Sequence, residues 1–393
     1  MNKTILTDEI QEFITQSLNN NIAQLALSKN PFPEVEWKER INQIVAKQKS
    51  KEKLPSWFST KYIYYPASIS IEQTSSEETA KYKSSLISGH NLVDLTGGFG
   101  IDCYYFAKKF KNVFHCEINE ELSKIVAHNN IQLDINNIEC ISKNSFDFLN
   151  ETTTFFDFIY IDPSRRNNSK GKVFLLNDCL PNVPENLDLY FSRTNQILIK
   201  TAPILDITAG IRELKYVKSI HIVAVENEVK ELLWFLDKET TSTIEIKTVN
   251  IQKKKTDIHS FILGNISEAI LAYPQKYIYE PNASILKSGC ADDLCKQLKV
   301  AKLHPHSHLF TSNDLIKFPG RSFQIENVIP FQKTEMKNQF EGKKMNITTR
   351  NFPLSVEEIR KKYKIKDGGE IYTFFTTSKN EEKIVLLCKK IVL

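Results

Sequence analysis

The densest chemistry in the chain lies in Asp94-Leu-Thr-Gly-Gly-Phe-Gly-Ile-Asp102, where Gly97, Gly98 and Gly100 fall between two carboxylates. Only 12 of the 393 residues are glycine, under half of the roughly 7% found on average, so a cluster of them is informative. The segment follows a short apolar run, Asn91–Leu95, and opens a helical pattern over Ile101–Lys109. Glycines at a strand-to-helix turn let the backbone approach a nucleotide-like ligand, and the helix N-terminus adds a positive dipole end. Glu117, in His115-Cys-Glu-Ile-Asn119, closes the next apolar run. There it can hold both hydroxyls of a ribose, with Ile118 beside it.

Two cofactors compete for such a turn. A dinucleotide fingerprint needs Gly-x-Gly-x-x-Gly, but counting from Gly98 and Gly100 the third place is Cys103. Asp94 before the glycines suits S-adenosylmethionine better. That cofactor has no pyrophosphate to cradle, and carries an ammonium and a sulfonium that a carboxylate helps to hold. The expected cofactor is therefore S-adenosylmethionine, with Asp94, Thr96, Gly97, Gly98, Gly100, Glu117 and Ile118 around it. Further on, the apolar strand Phe156–Ile161 runs into Asp162-Pro-Ser-Arg-Arg166. The carboxyl ends of parallel strands bound the ligand crevice of an open sheet. Two of the chain's eight arginines sit there, pointing to an anionic or planar partner.

The elements that must position these residues read as follows. Residues 1–60 are helical, with one segment capped at Thr7 or Asp8 and a second carrying Trp37, Ile41, Ile44 and Val45. From about residue 90 strands alternate with helices: Asn91–Leu95, Asn112–Cys116, Ile138–Ile141, Phe156–Ile161, Gln196–Thr201, Val217–Val225 and Thr243–Ile251 are strands. Ile101–Lys109, Asn119–Asn129 and Val229–Leu236 read as helices, and His259–Leu263 as the return of a hairpin around Lys253–Lys255. The alternation predicts a doubly wound α/β sheet with buried parallel strands. Beyond residue 270 the rhythm ends. A helix at Asp292–Leu298 and a strand at Ser307–Phe310 precede an α+β stretch over 319–393. That stretch has strands Gln324–Ile329, Ile371–Thr376 and Ile384–Lys389 and a helix at Ser355–Tyr363.

Composition bounds the class. Hydrophobic residues are 41% and charged ones 25%, which is ordinary for a globular chain and excludes wholesale disorder. At this length two or three domains are expected. Seven cysteines are too few and too scattered for a disulfide scaffold. Met1–Phe13 carries Asp8, Glu9 and Glu12 and does not read as a leader. No run approaches ~20 apolar residues, so no membrane span is expected, and the expectation is a cytoplasmic protein with reduced thiols. His304, His306 and His308 alternate as metal ligands on a strand would, with Cys290 and Cys295 upstream. The Cys-x4-Cys spacing is a poor zinc signature, and no metal is assigned.

Several segments taken in order resemble the class I S-adenosylmethionine-dependent methyltransferases that carry a C-terminal THUMP-like domain. They are Lys53-Leu-Pro-Ser-Trp57, Ser70-Ile-Glu-Gln-Thr-Ser-Ser-Glu-Glu-Thr-Ala80, Asp94–Asp102, Ile161–Arg166 and Lys200-Thr-Ala-Pro203. Tyr279-Glu-Pro-Asn-Ala283, His308-Leu-Phe-Thr-Ser312, Phe318-Pro-Gly-Arg321 and Lys366-Asp-Gly-Gly-Glu370 continue the series. The resemblance covers nearly the whole chain. It implies an N-terminal helical region (1–60), a Rossmann-like methyltransferase domain (61–270), a small ferredoxin-like module (271–318) and a THUMP-like domain (319–393). THUMP domains elsewhere bind RNA, so an RNA substrate is implied, tRNA or rRNA. In related RNA methyltransferases the stretch before the first strand folds over the cofactor, which implies roles for Glu72, Gln73 and Ser76; a capping role for Ser75, Ser76 and Glu78 fits equally. Such enzymes usually have an acidic residue on the adenine amine after the third strand. Asn144, followed by Ser145, stands there, and its oxygen can still accept.

For the reaction, Asp162, Pro163 and Arg165 are expected to meet the target nucleotide. Amino-methyltransferases of bases usually carry Asp/Asn-Pro-Pro and an aromatic after the fourth strand. Here Ser164 and Arg165 replace the second proline and the aromatic, and Arg165 can stack on a base or clamp a phosphate. An exocyclic amine is the favoured acceptor. Carbon-5 methylation of uridine is the nearest rival, but it needs a nucleophilic cysteine after the fifth strand, where Lys200-Thr-Ala-Pro203 has none; Cys179 lies before that strand. Lys200 either assists the substrate or pairs with a carboxylate. Two other readings are an RNA-binding protein with a vestigial cofactor site and a methyltransferase of protein or small molecule. Finally, the net +5 is uneven. Residues 319–393 carry 15 basic and 9 acidic groups while 61–270 carry 23 and 27, the asymmetry of a phosphate-binding module appended to a catalytic domain.

Overall fold

The computed structural model describes residues 1–66, 71–165, 175–240, 243–265 and 268–392. The main sheet uses β1 (Gly89–Asp94), β2 (Phe110–Cys116), β3 (Ile138–Ile141), β4 (Phe158–Ile161), β5 (Gln196–Thr201), β6 (Val217–Val225), β7 (Glu228–Asp237), β8 (Glu245–Ile251) and β9 (Thr256–Ile262). Among the described residues its order is β3-β2-β1-β4-β5-β7-β6-β8-β9. The five strands from β3 to β5 are mutually parallel, and β7 runs antiparallel to β5. The order reverses between β1 and β4, which opens the crevice at their carboxyl ends. All four residues of β4 are buried, as expected where both faces of a parallel sheet are covered.

The chain divides into two compact units, Met1–Ile220 with Glu231–Ser242 and His221–Lys230 with Thr243–Leu393. In the first, helices α1 (Asp8–Gln16) and α2 (Trp37–Lys53) precede α3 (Glu77–Leu86), and α4 (Ile101–Phe106) leaves the glycine turn. Helix α5 (Glu120–Gln132) follows β2, α6 (Ser145–Glu151) follows β3 and α7 (Val183–Tyr190) precedes β5. Ile10, Ile14, Ile44 and Trp57 of the N-terminal helices share one core with Phe99, Ile101, Leu122 and Ile125. Two polar ties fix that packing. Glu77, 2% exposed, accepts from Ser56 N at 2.5 Å and Ser56 Oγ at 2.9 Å, joining the segments Lys53–Trp57 and Ser70–Ala80. Asn129 of α5 exchanges two 2.9 Å bonds with the Tyr64 backbone.

Residues 229–236, expected as a helix, are strand β7. The i, i+3, i+4, i+7 spacing of Val229, Leu232, Leu233 and Leu236 is real, but a short apolar run does not separate a helix from a strand buried on both faces. The local signal was the turn: Glu226 and Asn227 both have positive φ, 47° and 66°, the geometry of a two-residue hairpin connection.

In the second unit β10 (Tyr277–Pro281), β11 (Ala301–Lys302), β12 (Phe310–Ser312), β13 (Gly320–Pro330), β14 (Lys344–Arg350), β15 (Lys366–Thr377) and β16 (Lys383–Ile391) form a sheet in the order β11-β12-β10-β13-β16-β15-β14. Sequence reading left out β10, β14 and the helix α8 (Lys333–Phe340); α9 (Val356–Tyr363) follows a full capping box of Ser355 and Glu358. Strand β13 pairs with both β10 and β16, so the stretches on either side of residue 319 share one sheet. Their junction explains two motifs. A Cβ on Gly320 would lie 2.0 Å from the Glu280 carbonyl oxygen, and Glu280, 4% exposed, accepts from Arg321 Nε and Arg350 Nη2, each at 2.7 Å.

Candidate cofactor and substrate site

The turn after β1 is built around buried polar groups. Asp94 is 2% exposed; its Oδ1 accepts from Thr96 N at 2.9 Å and Thr96 Oγ1 at 3.1 Å, and its Oδ2 from the Cys103 thiol at 3.3 Å. Burial outweighs these bonds and pushes its pKa up to about 7. A Cβ on Gly97 would lie 2.4 Å from His115 Nε2, and Gly100 has φ 78°. Neither place accepts a side chain without movement. The fully buried His115 has its pKa lowered, burial being the main cause. Glu117 bridges the turn, accepting from Gly98 N at 3.0 Å and Asn119 N at 2.8 Å.

Two cavities open over these strand ends. The smaller, about 200 Å³, is lined by Gln73–Ser75, Asp94, residues 96–102, Tyr160 and Asp162. The larger, about 770 Å³, is lined among others by Glu117, Ile118, Asn144, Ser145, Asp162, Leu180 and Asn182. Thr96 and Asp162 face both. The structure thus gathers Gln73, Asp94, Thr96, Gly97, Gly98, Gly100, Glu117, Ile118, Asn144, Ser145 and Asp162 around one crevice. Glu72 and Ser76 line neither cavity: Glu72 pairs with Lys49 at 2.8 Å, and Ser76 caps α3 through Thr79 N at 3.2 Å. Asn144 caps α6, its oxygen accepting from Phe146 N at 2.8 Å. Pro163 is buried. The Arg165 side chain and the whole of Arg166 and Ser70 fall outside the described residues.

Beneath the smaller cavity lies a charged layer that sequence reading missed. The Lys83 ammonium, fully buried, contacts Glu231 at 2.9 and 3.1 Å, Asp102 at 3.1 Å and Ser75 Oγ at 3.0 Å. Asp102 Oδ2 accepts from Ser75 Oγ at 2.8 Å and Tyr160 OH at 2.9 Å. Lys200 pairs with Asp162 at 2.5 Å; of its two readings, the pairing is the one formed. Burial acts to raise the Asp102 carboxyl, but Lys83 and Lys200 prevail and hold it below its ordinary pKa. Glu231 is raised by burial, with the same two ammoniums opposing. Burial would lower Lys200, yet the carboxylates of Asp162, Glu231 and Asp102 leave it raised. Glu231, within the span 229–236 expected as a helix, is 2% exposed on β7.

The remaining candidates lie elsewhere. Cys179 is fully buried and lines neither cavity. His304 is held between Glu381, 2.7 Å from Nε2, and Asn351, 2.9 Å from Nδ1. Among the described residues no three His, Cys, Asp or Glu side chains are grouped to hold a metal, and no helix is long and apolar enough to cross a membrane.

The sheet β3-β2-β1-β4-β5 with antiparallel β7 beyond it, a glycine turn after β1 and a carboxylate closing β2, defines the Rossmann-like class I methyltransferase fold. Residues 277–319 match a ferredoxin-like domain family and residues 320–390 a THUMP domain-like family. The crystal structure of a protein from Porphyromonas gingivalis W83, provisionally assigned as a methyltransferase, is 32% identical, with 99% of each chain covered and a TM-score of 0.88. The chain belongs to that family, the class I S-adenosylmethionine-dependent methyltransferases with a ferredoxin-like module and a C-terminal THUMP-like domain. An rRNA methylase from Streptococcus thermophilus is 14% identical over 42% of this chain and 95% of its own, with a TM-score of 0.31. TrmK of M. capricolum, solved with S-adenosylhomocysteine, is 15% identical over 44% of this chain and 70% of its own, with a TM-score of 0.32. No curated protein matches.

Proposed function

We propose that the chain is a cytoplasmic S-adenosylmethionine-dependent methyltransferase acting on a base of tRNA or rRNA, with an exocyclic amine as the acceptor. The observation that carries this reading is Asp162, which stands at the end of β4 where the two cavities meet. The site fits the cofactor. Glycine backbone that admits no Cβ lines the smaller cavity, its floor is rich in carboxylate, and Glu117 and the 70% exposed Ile118 line the larger one. S-adenosylmethionine, when bound, supplies an electrophilic methyl group; the protein's part is to orient the acceptor and offset developing charge.

Asp162 is held from both sides for that task. Its N–H donates to Thr96 Oγ1 at 2.7 Å and its carboxylate takes Lys200. That carboxylate, with the Pro163 carbonyl, can accept from an exocyclic amine, as the favoured reaction requires. Residues 61–270 would perform the chemistry and 319–393 the RNA binding. Support for RNA lies in the THUMP-like match and in the exposed lysines 343, 344, 361, 362, 364 and 366. They converge where Lys366 N donates to the Lys343 carbonyl at 2.8 Å and Lys344 pairs with Lys366 across β14 and β15.

Nucleoside mass spectrometry of tRNA and rRNA from cells with and without the protein tests the proposal. One methylated nucleoside should disappear; an unchanged profile overturns the RNA substrate. Direct titration separates the rival reading of a vestigial site, which predicts no binding at millimolar cofactor.

A further inference from the structure

The smaller cavity contains two aspartates of very different standing. Asp94 ends β1 with both oxygens engaged by Thr96 and Cys103 and 2% of its surface exposed. Asp102, eight residues on, is 9% exposed, lines the same cavity, and is braced by Ser75 and Tyr160, which line it too. Behind Asp102 the Lys83 ammonium divides its donors among Ser75 and both oxygens of Glu231, 3.1 Å from Asp102 Oδ1. Asp102 Oδ1 is buried against the Lys83 ammonium at 3.1 Å and makes no hydrogen bond among the described residues, so what reaches the cavity is the remainder of the side chain.

Charge decides what such a floor will accept. Lys83 and Lys200 are the two ammoniums; Asp102, Glu231, Asp162 and Asp94 are four carboxyl groups in contact with them or beside them. Negative charge in excess of its partners is costly inside a protein unless a cation completes it. An α-ammonium supplies a compact charge and three donors. The methyl-bearing sulfonium supplies charge without donors. The small cavity also suits the amino-acid end of the cofactor, while the larger one, with Glu117 and Ile118, has room for a nucleoside.

We infer that Asp102, rather than Asp94, is the acceptor for the α-ammonium of S-adenosylmethionine, and that Lys83 is a positioning residue that acts through Asp102. This rests on the cofactor reading above. The experiment titrates the full chain with S-adenosylmethionine, S-adenosylhomocysteine and 5′-methylthioadenosine, which keeps the nucleoside and lacks the amino-acid end. Asp102→Asn should weaken the first two by about 10- to 100-fold, the worth of a charged hydrogen bond, and leave the third within about twofold. The double variant Lys83→Met/Glu231→Leu removes one buried ammonium and one buried carboxylate together, so that the net charge of the layer is kept while Asp102 loses its Lys83 contact. It should show the same selective loss in smaller degree, and it decides the matter if Asp102→Asn does not fold. Equal loss of all three ligands by a variant with an unchanged melting temperature overturns the inference, as does wild-type affinity for S-adenosylmethionine in Asp102→Asn. If the wild-type chain binds none of the three, the methyltransferase reading itself fails.

Discussion

Asp94 and Asp102 are the same side chain in one nine-residue segment, and their surroundings set them apart. Burial lifts Asp94 to about 7 against the pull of its neutral donors, whereas Lys83 and Lys200 hold Asp102 down against burial. The consequence for Asp94 has a definite sign. Its folded pKa lies above the unfolded value of about 3.9, so its ionisation is a penalty, absent below about pH 4, growing as pH rises and complete above about 7. Wild-type stability should therefore decline across that window relative to Asp94→Asn, by up to about 1.4 kcal/mol per pH unit. Thermal unfolding of both proteins between pH 5 and 8 checks this; parallel curves would count against the burial argument. At Asp162 the relevant partner is Lys200. Lys200→Met should leave cofactor affinity near wild type and lower kcat/KM on the RNA substrate by about a hundredfold, because the carboxylate at the strand end loses its fixed partner.

At the scale of elements, the site depends on a turn that works only with glycine and on a strand that hides a charge. Gly97→Ala would drive a methyl group into His115, 2.4 Å away. Overpacking of that kind costs about 1–3 kcal/mol, and the displaced turn should also lose cofactor binding, readable by melting temperature and titration together. Much of this turn was legible from sequence because its cause is local: scarce glycine, an apolar run before it and a helical pattern after it. Strand β4 and the span Val217–Val225 were legible for the same reason. Strand β7 was not. Its apolar residues repeat in a way both a helix and a doubly covered strand allow, and what distinguishes them is burial on both faces between β5 and β6. With the strand went Glu231, and with Glu231 the meaning of Lys83. The preceding segment divided similarly: Gln73 faces the cavity, while Glu72 and Ser76 turn to Lys49 and to the α3 cap.

For the whole molecule, the charge asymmetry acquires an address. The excess of basic residues over 319–393 includes six lysines near the β14 and β15 starts and the end of α9. Removing 319–393 is a poor test of RNA binding, because β13 supplies the partner of β10 and its loss would leave that strand's edge bare. Point changes serve better. Lys343→Glu, Lys344→Glu and Lys366→Glu together should weaken RNA binding and reduce the slope of log K against log salt by about 2, with cofactor titration unchanged. An unchanged salt slope would place the RNA elsewhere.

By itself the sequence determined the α/β alternation, the glycine turn with its flanking carboxylates, the acidic end of β2 and the Asp-Pro at the end of β4. Each of these rests on neighbours a few residues apart, and short-range sterics, periodicity and capping express them directly. Tertiary structure alone decided how each carboxylate is partnered, since that depends on groups far apart in the chain: Lys83 with Glu231, Asp162 with Lys200, Asp102 with Tyr160. A buried charge takes its character from the partner it meets in space, and no spacing rule along the chain records that partner.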